Sequence, residues 1–325
     1  MDVTQEEIAW ALHIKRAARA HPKITHPESI TDFEFLQYAI VTKGDVKKAI
    51  DRLIAVQRFK ERYGIKGDGS LAEAAHDLHA YQILRPGFLL SVAQVQSPKA
   101  QSKTDPFYLK DYDDILDPTV TECSCSAGGK CSSHQGDLAK LSEYHGCCPH
   151  IACVDLTTML RKKIKSAEAD AVSLRALFYF LQSVNCDAVA IRSGYCHLAD
   201  ATGLGMRNFH VQNDRRAAKF FGGKEYPVII RNFCLLNTNW LVTSFYGVIT
   251  NFAKPFVRRS LFFVRNRDSF LFGTDKELGS PRIWYTPDVL PKSWGGALDD
   301  EDGTKYFLGL LEERYQNAAS FQLPE

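Results

Sequence analysis

Residues 226–256 read YPVIIRNFCLLNTNWLVTSFYGVITNFAKPF, and two adjacent patterns in this stretch decide the fold. In residues 226–237, Val228, Ile230, Phe233 and Leu235 leave little polar surface, as expected of a strand covered on both sides. Residues 240–252 are apolar nearly all round, so as a helix they must be buried. A buried helix fits two situations, a core element or a lid over an apolar cavity, and pattern alone leaves both open. Pro255 supplies a breaker at its end, and Gly247 a weak point inside.

Working outward, apolar runs at 88–95 (FLLSVAQV), 106–109 (PFYL), 187–191 (DAVAI) and 260–264 (SLFFV) read as further strands. A helix is expected from Asp155, as its N-cap, toward Val184, and another over 207–221. Strands alternating with helices predict an α/β fold with a largely parallel sheet. The first eighty-five residues differ, reading as helices throughout. Thr4 and Glu7 have capping-box spacing. A second helix runs from about Thr31 through Phe33, Leu36 and Ile40 to Lys43–Gly44. A third starts at Asp45 and carries Ala49, Leu53, Val56 and Phe59 to Tyr63–Gly64. Residues 71–80 form a short fourth helix. The expected organisation is a helical module at 1–85, an α/β lobe at 86–300 and a C-terminal tail at 301–325 with a helix through Tyr315. No period of 20–50 residues recurs, which excludes a solenoid.

The 325 residues are 45% hydrophobic and 24% charged, within the globular range, which excludes disordered and collagen-like chains. A net charge of +2 announces no nucleic-acid partner. No apolar run reads as a signal peptide or a membrane span, so a soluble, cytoplasmic protein is expected, as a monomer.

With these patterns in place, three stretches together resemble the CRAL-TRIO lipid-binding family, which includes retinaldehyde-binding, tocopherol-transfer and phosphatidylinositol-transfer proteins. Residues 32–65 look like its N-terminal helical module. Residues 226–239 with KPF (254–256) resemble its strand, gate helix and Lys-Pro-Phe sequence, and LPKSWGG (290–296) its closing turn. LADATG (198–203) sits where the family has an aspartate and a glycine after a core strand. The resemblance implies a non-enzymatic protein that binds a hydrophobic ligand in a cavity closed by a mobile gate helix and transfers it between membranes, with peripheral membrane contact and no required cofactor besides the bound lipid. Strand residues Val228, Ile230, Phe233, Leu235 and Phe262 are then candidates to line the cavity. From the gate helix and its end come Trp240, Phe245, Tyr246, Ile249, Phe252 and Phe256.

Departures from the family pattern bear on the ligand. Phosphatidylinositol-transferring members resemble one another in a glutamate directly after the Tyr-Pro pair and a lysine before the last core strand. This chain has Val228 and Ser260 there. A retinoid, tocopherol, sterol or other isoprenoid is therefore favoured, with phospholipid or phosphoinositide transfer as the alternative. Arg231, together with Arg258 and Arg259, resembles basic positions of a phosphoinositide-contacting membrane surface.

Six of the nine cysteines fall between Cys123 and Cys153. Cys123, Cys125, Cys131, Cys147 and Cys148, with His134, have the ligand chemistry of zinc, but not the spacing of paired C-x-x-C knuckles. A zinc-stapled insertion at about 119–153 and a thiol or disulfide loop both remain open, and a cysteine- or zinc-dependent hydrolase is the rival function. A ligand-free interaction scaffold is a third reading. CDAVAIRS (186–193) has the C-x5-R-S outline of a cysteine phosphatase but lacks its glycines. GLGMRN (203–208) lacks the third glycine of a dinucleotide fingerprint. His197 and His210 read as structural, since no motif supplies a nucleophile beside them, and Asp200 does so because it resembles an aspartate of structural type in the family.

Overall fold

The computed structural model describes residues 3–66, 70–84, 91–94, 150–155, 167–205, 226–244, 261–266, 292–296 and 303–324. The N-terminal helices form where their caps dictate. In α1 (Gln5–Ala20) the Thr4 hydroxyl accepts from the Glu7 amide at 3.1 Å, and the Glu7 carboxylate accepts from the Thr4 amide at 2.9 Å. Thr31 and Glu34 repeat this box at the start of α2 (Asp32–Thr42). Lys43 and Gly44 then turn the chain at φ 51° and 73°. Asp45 accepts from the Lys48 amide at 3.0 Å to start α3 (Val46–Tyr63), and Gly64, at φ 71°, ends it.

α3 belongs to two cores. Its Ala49, Ile50 and Leu53 pack with Ile14, Phe33, Leu36 and other residues of α1 and α2. Its Val56 and Phe59 reach the second core, which is built on the sheet. α4 (Leu71–Leu84) runs four residues beyond its expected end at 80.

Among the described residues the sheet has five strands in sequence order: β1 (Ser91–Gln94), β2 (His150–Asp155), β3 (Tyr195–Asp200), β4 (Ile230–Leu236) and β5 (Leu261–Phe263). β1 pairs antiparallel with β2, and all other neighbours are parallel. α5 (Ala167–Ser183) covers one face. Phe178 meets Tyr226 edge-on at 5.6 Å, and Phe180 meets Tyr195 at 5.5 Å and Phe307 at 4.8 Å. Each such ring contributes about 1.5–3 kcal/mol by leaving water. Phe307 and Leu311 belong to α7 (Gly303–Ser320), which continues past its expected end at Tyr315. The tail docks: Leu323 is buried in the N-terminal core, and its amide donates to Asp32 at 2.9 Å.

Two expectations need correction. Residues 188–193 are not a strand but the short helix α6 (Ala188–Ser193), because the Asp187 side chain accepts from the Ala190 amide at 2.6 Å and caps it. The strand follows one turn later, as β3. Asp155 is the last residue of β2, and of the helix expected from it Ala167–Ser183 is described, residues 156–166 lying outside the described residues. β2 itself was hidden in a segment that reads as irregular because cysteine and histidine interrupt its short apolar run. The expected strand at 106–109 and helix at 207–221 lie outside the described residues.

Candidate functional site

Parallel strands place their carboxyl ends together, and here β3 and β4 end on a polar junction leading into the next helix. Asn237, at φ 54°, donates its side-chain amide to both oxygens of Asp200, at 3.0 and 3.1 Å. Asparagine tolerates this left-handed backbone better than most residues. The same carboxylate accepts from the Thr202 amide at 2.9 Å and hydroxyl at 2.6 Å. The amide and hydroxyl of Thr238 both donate to the Val264 carbonyl, at 2.9 and 3.1 Å, fastening the junction to the end of β5. Asn239 then caps a helix that begins at Trp240 and is described through residue 244. Its Oδ1 accepts from the Val242 amide at 2.9 Å and its Nδ2 donates to the Leu204 carbonyl at 3.0 Å.

This helix start is two-sided. Val242 is buried in the sheet core, whereas Trp240 is 78% exposed. Thr243 and Ser244, in the same helix start, are exposed as well. An indole in water is unfavourable unless some partner or surface covers it.

The strand faces divide the candidate lining residues. Val228, Ile230 and Leu235 are buried in the core with Phe178, Tyr195 and Tyr226, and Phe233 packs against it. Phe233 stacks on the His197 ring at 4.4 Å and 12°, and His197 meets Tyr195 at 6.4 Å. These side chains therefore face α5. Alternation sends Leu198, Cys234 and Leu236 to the other face, with Leu198 directly opposite Cys234 across the β3–β4 ladder. All three are fully buried, yet they belong to neither of the two cores among the described residues. The bulky residues of the strand alone do not show this division. Counting alternate positions from Tyr195, which α5 covers, would have found it.

Phe262 lies in β5 opposite Cys234, and Arg231 in β4, as backbone positions. Phe245, Tyr246, Ile249, Phe252, Phe256, Arg258, Arg259 and His210 lie outside the described residues. So do Cys123, Cys125, Cys131, His134, Cys147 and Cys148.

Among the described residues, His197, Cys186 and Arg192 sit in structural surroundings. Burial pushes His197 down to about 3, so the ring is neutral and a poor base. Burial also pushes the Cys186 thiol up, the opposite of what a nucleophilic cysteine needs. Arg192, six residues on, grips Glu7 through two bonds of 2.7 Å, so the C-x5-R outline is not a phosphate loop. Among the described residues, Cys186, Asp187 and Glu313 bring metal-type donor atoms within 4.8 Å of one another. One Asp187 oxygen is already spent on capping α6.

Among the described residues no helix is long and apolar enough to cross a membrane. Comparison with curated proteins finds no match. Among solved structures the chain is similar to the crystal structure of Sfh5, at 9% identity and a TM-score of 0.41, over 98% of this chain and 100% of that one. That likeness is too distant to carry an argument. The CRAL/TRIO domain model, by contrast, matches residues 156–296, which run from the residue after β2 to the end of the LPKSWGG turn. With its predominantly parallel sheet, the chain carries a CRAL/TRIO domain over residues 156–296, a domain of lipid-binding and lipid-transfer proteins.

Proposed function

We propose that this protein is a non-enzymatic carrier that takes up a mostly apolar lipid against the second face of its sheet and exchanges it with membranes. The observation that carries the reading is the buried apolar set Leu198, Cys234 and Leu236 on the face away from α5. The helix beginning at Trp240 follows β4 directly and would close that side as a gate. Phe245, Tyr246, Ile249, Phe252 and Phe256 then contribute from its later turns and end, and Phe262 from the neighbouring strand. A tail buried there gains about 0.8 kcal/mol per methylene, so ten contribute ~8 kcal/mol before ordering costs.

The ligand is a retinoid, tocopherol, sterol or other isoprenoid. Val228, directly after Tyr226–Pro227, is buried in the apolar core, and no carboxylate stands there to accept from an inositol hydroxyl. Exposed Trp240 is suited to the headgroup region of a membrane, where an amphipathic ring sits well. Arg231, Arg258 and Arg259 are candidates to meet lipid phosphates on the same visit. The carrier works in the cytoplasm as a peripheral membrane protein and needs no cofactor, and zinc in the cysteine-rich segment would be a structural addition.

Native mass spectrometry of the freshly purified, non-reduced protein tests this, followed by a repeat after denaturation. The expected result is an adduct of a few hundred daltons, on the order of one lipid, lost on unfolding. An adduct of roughly 65 Da would instead indicate zinc. No lipid adduct, together with no uptake of retinol or tocopherol from vesicles, would overturn the reading.

A further inference from the structure

Polar groups from four distant parts of the chain meet just before β4 begins. Arg314, on α7, is 2% exposed. Its Nη1 donates to the Asn185 carbonyl at 2.8 Å, and its Nη2 donates to Gln37 Oε1, also at 2.8 Å. Its guanidinium lies over the Phe33 ring, 5.0 Å from the centroid. Gln37, on α2, donates its Nε2 to the Pro227 carbonyl at 2.8 Å. Asn185, just beyond α5, donates its Nδ2 to that same carbonyl at 2.9 Å. One carbonyl thus receives two side-chain donors, which fills both of its lone pairs. Both donor residues are gripped by one guanidinium.

The connection is long-range. Gln37 and Pro227 are 190 positions apart, and Arg314 and Gln37 are 277 apart. Glu34, one turn before Gln37, pairs with Lys60 at 3.1 Å, and Arg314 also holds its carboxyl below the ordinary range against the burial that raises it. A buried guanidinium is costly unless its charge and donors are answered, and here both are. Proline adds a fixed φ to the residue that receives the two bonds. The chain therefore enters β4 from a point that is set by α2, α5 and α7 together.

We propose that Arg314 is a positioning residue for the ligand-binding lobe: acting through Gln37 and Asn185, it fixes the Pro227 carbonyl and so the register at which β4 joins the sheet. β4 carries Cys234 and Leu236, so the C-terminal helix becomes part of the frame of the lipid-facing surface. That consequence rests on the carrier reading, whereas the positioning itself does not.

Hydrogen–deuterium exchange on the full-length chain tests it, comparing Arg314→Lys and Gln37→Met with Arg192→Met. The last breaks a different buried pair, the one with Glu7 on α1. Peptides spanning residues 226–236 should exchange about tenfold faster in Arg314→Lys and Gln37→Met, with α1 and α6 unchanged. Arg192→Met should show the reverse distribution. Should Arg314→Lys fail to fold, Gln37→Met decides alone, because it leaves the bond between Arg314 and Asn185 in place. Acceleration spread evenly over α1, α5 and β4, or none at residues 226–236, would overturn the proposal. Exchange needs no ligand, so a chain that took up no retinol would count against the carrier reading and still give this answer.

Discussion

Asn237 holds both oxygens of Asp200 from the left-handed backbone position where β4 ends, joining the carboxyl ends of two parallel strands by one side chain. Asn237→Ala removes the hydrogen bonds to a charged acceptor, worth about 1.5–3 kcal/mol, and leaves a Cβ in a conformation that costs roughly 1–2 kcal/mol. Asn237→Gly loses only the first of these. In urea unfolding the glycine variant should therefore be the more stable of the two, by about 1 kcal/mol. Equal losses would show that backbone strain at this position is negligible.

The buried Glu7–Arg192 pair predicts a pH dependence with a definite sign. Burial raises the Glu7 carboxyl, but the Arg192 bonds and charge and the Thr4 amide outweigh it, and the net shift is downward from 4.5. A lowered folded value means that the pair stabilises the protein above the unfolded value and ceases to do so as pH falls through the folded one. Arg192→Met leaves a buried carboxylate unpaired and should cost about 3–5 kcal/mol near neutrality. In that variant burial alone raises the carboxyl, so protonation begins to relieve the penalty above 4.5, and the gap from wild type should narrow through 4.5 and on toward the lowered wild-type value. A gap that stays constant down to about pH 3.5 in thermal melts would count against the assignment.

Local chemistry explains what was legible in the sequence. Thr4 with Glu7, Asp45, and the Gly64 stop each announce a helix end by a side chain or glycine within a few residues, and those boundaries stand in the structure. The apolar run that became β4 is also legible, because burial on both sides needs apolar residues at successive positions. Which face meets α5 is not legible there, since a strand apolar on both faces carries no alternation to read. Residues 187–191 fail for a related reason: the four apolar residues 188–191 fit either element, and one capping bond that Asp187 accepts from the Ala190 amide settles the matter. Gln37, Asn185 and Arg314 are silent in the sequence, since their partners lie more than a hundred positions away for every bond except the one from Asn185 to Pro227.

Gly44 sits between α2 and α3 at φ 73°, and a Cβ there would lie 2.6 Å from Trp10 Cδ1. Two penalties therefore meet in Gly44→Ala, the left-handed backbone at roughly 1–2 kcal/mol and an overpacked contact at about 1–3 kcal/mol. They separate in a double-mutant cycle. Trp10→Ala removes the ring, so adding Gly44→Ala to it should cost only the backbone part. Additive losses in the two single variants would show that the ring gives way without cost.

Trp240 offers the sharpest division between fold and function, since it is 78% exposed at the start of the helix that follows β4. Trp240 belongs to neither core among the described residues and Trp240→Ser leaves the Asn239 cap intact, so the melting temperature should stay within the small range typical of surface substitutions, about 0.5 kcal/mol in stability. Burying an indole at a membrane interface is worth on the order of 1.5–3 kcal/mol. Binding to phosphatidylcholine vesicles should accordingly weaken about tenfold or more, and retinol exchange between vesicles should slow with it. Circular dichroism melts and vesicle flotation measure the two quantities on one preparation. Unchanged flotation with unchanged melting would remove Trp240 from the membrane contact. A large fall in melting temperature would mean that the indole is covered in solution, and the exposed start of the helix would then be a protein contact and not a lipid one.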